Sequence, residues 1–137
     1  GSDKFYQISF ENNGTYKYLN VNLKKGDKKY FVYNINGLDN YDNNFDKCLK
    51  KKKLIVSDVS LMADVQRQHY ESDFRGTFGK SISYVTDFKL TNGLFRVFCT
   101  KWDKTNKKVK ELGWFDSLNV SITSEEFINF LDYEAYK

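Results

Sequence analysis

Two cysteines, one histidine and a lysine-rich stretch between two tryptophans are the side chains of this sequence with chemistry to offer. Cys48 falls on the apolar stripe of a segment with helical spacing. Cys99 lies on an alternating segment with Phe95 and Val97. Both therefore point toward a core, and a helix lying across a sheet would bring them together. A Cys48–Cys99 bridge closes a loop of about fifty residues and restricts the unfolded chain by roughly 4 kcal/mol in the chain-entropy account. Such a bond belongs to an oxidising compartment. The alternative is two inert thiols buried as small hydrophobes. The Cys and His residues lack the spacing of a zinc site.

His69, the only histidine, has Glu71 and Asp73 nearby in a polar segment. A histidine beside a carboxylate can move protons near neutral pH. No nucleophile or oxyanion site is marked for it, so no catalytic residue is assigned. Gly76-Thr77-Phe78-Gly79-Lys80-Ser81 has the residue types of a phosphate loop, but two residues separate its glycines where that motif needs four. A Gly-rich turn is the better account. Lys50 to Lys53 reads as a solvated helix face. Asp39 and Asp42 lack the order of a calcium loop, so no metal is expected. The strongest surface candidate runs from Trp102 to Trp114, where Lys101, Lys104, Lys107, Lys108 and Lys110 lie between or beside the two rings. Lysines with flanking aromatics can hold anionic polymers by phosphate contact and stacking. A lysine-rich connection over two core tryptophans has the same sequence.

The elements that position these groups follow from periodicity. Residues 5–10, 15–23 and 29–35 alternate, with turns at Asn12-Asn13-Gly14 and Lys25-Gly26-Asp27, and predict an antiparallel meander. Residues 36–44 read as a loop. Phe45, Cys48, Leu49, Ile55, Val56, Val59, Met62 and Ala63 then share a helical stripe, with Lys52 alone out of place, and predict a helix over about 43–64. Residues 66–80 read as a loop, 81–90 and 94–102 as strands about an Asn92-Gly93 hairpin turn, 103–111 as a connection, and 117–122 as a strand. Thr123 with Glu126 has the form of a capping box opening a last helix over about 124–135. The order βββ-α-βββ-α predicts an α+β fold: an antiparallel sheet of five to six strands packed against one long and one C-terminal helix.

Apolar residues make up 40% of the 137-residue chain and aromatics 18%, enough for one real core. A net charge of +4 falls short of the footprint of a dedicated nucleic-acid binder. Lysine outnumbers arginine nineteen to three, so lysine runs carry little weight individually. No apolar run reaches the length of a membrane span. Gly1-Ser2 reads as a tag remnant, leaving 3–137 as one domain from which a signal peptide or a neighbouring domain was removed. The expected function is a non-catalytic exported domain, periplasmic or extracellular, binding a protein or small-molecule ligand through its sheet or loops without a cofactor. The alternatives are a cytoplasmic interaction or inhibitor protein with reduced thiols, and a weak anionic-polymer binder through residues 101–110.

Overall fold

The computed structural model describes residues 4–11, 14–62 and 64–135. It is an α+β domain built on one antiparallel sheet of seven strands. In chain order the elements are β1 (Phe5–Glu11), β2 (Tyr18–Lys24), β3 (Val32–Asn40), α1 (Phe45–Met62), β4 (Arg67–Ser72), β5 (Ile82–Leu90), β6 (Gly93–Lys101), α2 (Lys107–Leu112), β7 (Ser117–Ser124) and α3 (Glu125–Tyr133). The spatial order is β1-β2-β3-β7-β6-β5-β4, so β7 joins the N-terminal meander to the second one. Helix α1 packs chiefly on β6 and β7. Helix α3 lies on the opposite face, where Phe127 and Phe130 meet the Phe5 ring at 5.1 and 4.8 Å.

Several local expectations are corrected. Strand β3 starts at 32 because the Asp27 carboxylate accepts hydrogen bonds from Lys29 N and Phe31 N, and Tyr30 takes φ 54°. It then runs through residues 36–40, expected as loop. Gly37 lies in that strand because the Tyr16 ring rests on it: a Cβ there would come within 2.7 Å of the ring. Residues 67–72 form β4, although Arg-Gln-His-Tyr-Glu-Ser has no apolar alternation, because the whole segment pairs with β5 as an edge. The 103–111 connection contains α2, capped by the Asn106 side chain, which accepts from Lys108 N and Val109 N, and ended by Gly113 at φ 63°. Ser124, not Thr123, caps α3 by accepting from Phe127 N. At the β5–β6 hairpin, Thr91-Asn92 makes the turn and Gly93 already pairs with Leu90. The Asn12-Asn13 turn and Ala63 lie outside the described residues, as does Gly1-Ser2.

The core lies between α1 and the sheet: Cys48 and Val56 meet Phe88, Val97, Cys99 and Leu118. Cys48 and Cys99 are joined by a disulfide, both fully buried, with Cα atoms 6.1 Å apart. The bridge ties α1 to β6 across the interface that the apolar stripe predicts. Met62, expected on that stripe, is instead exposed in the last turn of the helix. Among the described residues no helix is long and apolar enough to cross a membrane.

Candidate functional site

The tryptophan segment builds an aromatic cluster, and its lysines face different partners. The Trp102 and Trp114 centroids are 4.4 Å apart, Phe74 stacks on Trp102 at 5.2 Å, and Phe78 meets Trp114 edge-on at 5.1 Å. Both tryptophans are half-buried. Lys104 Nζ lies 3.0 Å from Asp42 and donates to the Trp114 carbonyl at 2.7 Å. Lys107 pairs with Glu111 one helical turn on. The Lys108 ammonium sits over Phe78, and that of Lys101 sits over Phe45. Lys110 is exposed on α2.

Histidine 69 stands on edge strand β4 in a chain of three groups. Lys52 Nζ donates to Thr86 Oγ1 at 2.7 Å, and His69 Nδ1 is 2.6 Å from the same oxygen. An ammonium can only donate. The Thr86 hydroxyl can then donate to His69 Nδ1, and the neutral imidazole that accepts this bond carries its hydrogen on Nε2. Desolvation holds the imidazole below its ordinary 6.5, with the nearby Lys52 and Arg67 charges acting the same way. Burial likewise lowers Lys52 below 10.5. Lys52, the residue out of place on the apolar stripe, is thus explained by Thr86, whose hydroxyl is buried beneath it. The Thr86 hydroxyl is fully buried, and through it Lys52 ties α1 to the sheet, while the His69 ring at the other end of the relay is exposed on the edge strand.

The glycine-rich turn also closes on a group of the protein itself. Asp103 accepts from Lys80 N at 2.9 Å and from both the backbone and the hydroxyl of Thr105, which lowers its pKa to about 2. The amide that a phosphate would use thus already holds a carboxylate. Asp39 accepts from Lys17 N, and Asp42 from Asp116 N. Among the described residues no three His, Cys, Asp or Glu side chains converge as a metal would require.

The two faces of the sheet differ sharply. In antiparallel pairing, directly opposed residues share a face. One cross-strand row reads Ser9, Asn20, Asn36, Ser121, Arg96, Asp87 and Gln68, and it is polar from edge to edge. On this face an open cleft of about 480 Å³ lies between α3 and β4–β6. Of its two acids, Asp87 and Glu125, the first is already held by Arg96 at 2.7 and 2.9 Å and by the Tyr70 hydroxyl at 3.0 Å.

On the face that carries α1 the parallel row reads Ile8, Val21, Ile35, Ile122, Phe95 and Phe88. Helix α1 covers its Phe95–Phe88 end. The other end has no cover among the described residues. Tyr6, Ile8, Phe10, Val32, Ile35 and Ile122 are each 41–54% exposed. A shallow apolar depression of about 450 Å³ lies at its margin, lined by Val32, Ile35, Leu90 and Ile122. Together these six side chains expose on the order of 500 Å², near the upper end for the largest apolar patch on a monomer. Alternation in the sequence puts most of these residues on apolar strand faces. It carries no signal for which half of that face α1 covers, because that depends on the β3–β7 pairing, which runs from Asn34 with Thr123 to Asn40 with Ser117 between segments far apart in the chain. Comparison with protein-family models, with curated proteins and with solved structures yields no match.

Proposed function

We propose that this chain is a non-catalytic binding domain of an oxidising compartment, periplasmic or extracellular, and that its ligand is a protein seated on the uncovered apolar half of the sheet. The observation that carries the reading is the row from Ile8 to Phe88, buried under α1 at one end and open at Ile8, Ile35 and Ile122. The open end repeats the chemistry of the covered end, so a partner with an apolar face completes what α1 begins. Burying about 500 Å² at 25 cal/mol/Å² is worth roughly 12 kcal/mol, of the same order as the roughly 4–15 kcal/mol that association costs, so the patch serves as the apolar centre of an interface whose rim must add further contacts. The disulfide supports the compartment, because bonds of this kind form and persist in oxidising surroundings. Lys52, Thr86 and His69 engage one another, as do Asp87, Arg96 and Tyr70, which favours binding over catalysis.

The test is affinity isolation from the host of origin, comparing the wild type with an Ile35→Lys, Ile122→Lys variant. Both substitutions lie at exposed positions, so the fold and its melting temperature should be kept. A stoichiometric protein retained by the wild type and lost from the variant supports the proposal. The same proteins retained by both would overturn it.

A further inference from the structure

Strands β1 and β4 are the two edges of the sheet, and they are protected differently. Strand β4 carries Arg67 and Glu71 on its six residues, the charged edge that discourages strand addition. Strand β1 carries Tyr6, Ile8 and Phe10, all exposed, and its one charged residue is Glu11 at the end. Lys25 N donates to Lys4 O, so at this end of the hairpin the even-numbered backbone groups of β1 face β2. By alternation, the N–H and C=O groups of Phe5, Gln7, Ser9 and Glu11 point away from the sheet.

We infer that β1 pairs antiparallel with β1 of a second copy of this chain, on a twofold axis at Ile8, joining two sheets into one of fourteen strands. The register follows from the sequence Phe-Tyr-Gln-Ile-Ser-Phe-Glu, which is nearly symmetric about its centre. With Ile8 opposite Ile8, Tyr6 stands opposite Phe10, Gln7 opposite Ser9 and Phe5 opposite Glu11. Gln7–Ser9 and Phe5–Glu11 are then the hydrogen-bonded pairs, four in all across the axis, with about eight backbone hydrogen bonds. Ile8–Ile8 and Tyr6–Phe10 are the non-hydrogen-bonded pairs, whose side chains approach most closely and lie on the apolar face. No two like charges oppose each other over residues 5–11. The dimer has the self-complementary symmetry of an isologous interface. It sets the two apolar half-faces side by side, so the surface of the preceding proposal doubles without being covered. Strand pairing stands on the β1 edge alone and does not depend on that proposal.

Sedimentation and directed cross-linking test it. Wild-type protein should sediment at twice the chain mass, and Ile8→Lys, which sets two ammonium groups opposite each other, should sediment as a folded monomer whose melting temperature no longer depends on protein concentration. The native cysteines are bridged, so an Ile8→Cys variant carries a single thiol for cross-linking. Non-hydrogen-bonded Cα pairs near 4.5 Å lie within disulfide reach, so Ile8→Cys should form a covalent dimer roughly tenfold faster than Gln7→Cys. A monomeric wild type, a dimer indifferent to Ile8→Lys, or equal cross-linking at positions 7 and 8 would each overturn the inference. The Ile35→Lys, Ile122→Lys variant should remain dimeric, so loss of the dimer and loss of a partner protein are separate results.

Discussion

Removing the Cys48–Cys99 bond should cost this domain a large share of its stability. The bond spans 51 residues, and closing a loop of that length lowers the entropy of the unfolded chain by about 14 cal/mol/K, or roughly 4 kcal/mol at 25 °C. Whole domains have about 5–15 kcal/mol in hand. Both cysteines are fully buried, so reductant reaches the bond only after unfolding; the protein should be unfolded, reduced and refolded in reductant. Reduction keeps both sulfur atoms, so little packing changes. Urea titration of the two forms should show unfolding free energy falling by about 4 kcal/mol and the slope rising, because the untied chain exposes more surface. Thermal melting should fall by roughly 12–20 °C. A loss below about 1 kcal/mol with an unchanged slope would refute the loop-closure reasoning and remove the stability link to an oxidising compartment.

Local geometry sets the remaining outcomes. An NMR titration should place His69 below 6.5, and Lys52→Met should move it upward by removing a nearby positive charge. The neutral imidazole is the favoured folded form, so its contribution is fully present above the unfolded value near 6.5 and is lost as pH falls through the folded value; His69→Gln should flatten the stability profile in that acid window. Gly93→Ala should lower the unfolding free energy by about 1–3 kcal/mol in denaturant titration, since its Cβ would strike the Thr123 carbonyl of the neighbouring strand. Gly37→Ala should cost less, because the Tyr16 ring that it would touch is a side chain with room to move. Asp87→Ala should cost about 1.5–3 kcal/mol by thermal or chemical unfolding, as it strips both Arg96 and Tyr70 of their acceptor.

Sequence reasoning reached furthest where pattern and packing coincide. The stripe through Phe45, Cys48, Leu49 and Val56 places α1, and with the Phe95–Val97–Cys99 alternation it places the disulfide. The β5–β6 hairpin and α3 were legible for the same reason. Strand β4 was not, because an edge strand pairs on one side only and its Arg-Gln-His-Tyr-Glu-Ser sequence needs no buried face. Gly37 misled because glycine marks both turns and close approach, and only the Tyr16 ring distinguishes the two. Helix α2 is too short for a period to show; its signal was the pair Asn106 and Gly113 at its ends. At the candidate surface, each apolar strand face was legible singly. Their union beside α1 was not, since it depends on long-range pairing of Asn34–Asn40 with Ser117–Thr123.

The claim that matters most is that one side of the β1–β2–β3–β7 half of the sheet is an interface and the other is not. Neighbouring residues on β3 allow a direct comparison: Ile35 faces the apolar side, and Asn36 faces the polar row. A photoactivatable amino acid placed at each position in turn, in the host of origin, reports what lies against each face. A discrete adduct with one protein at position 35, absent at position 36, is the result expected. Adducts at 36 with none at 35, or none at either, would contradict it.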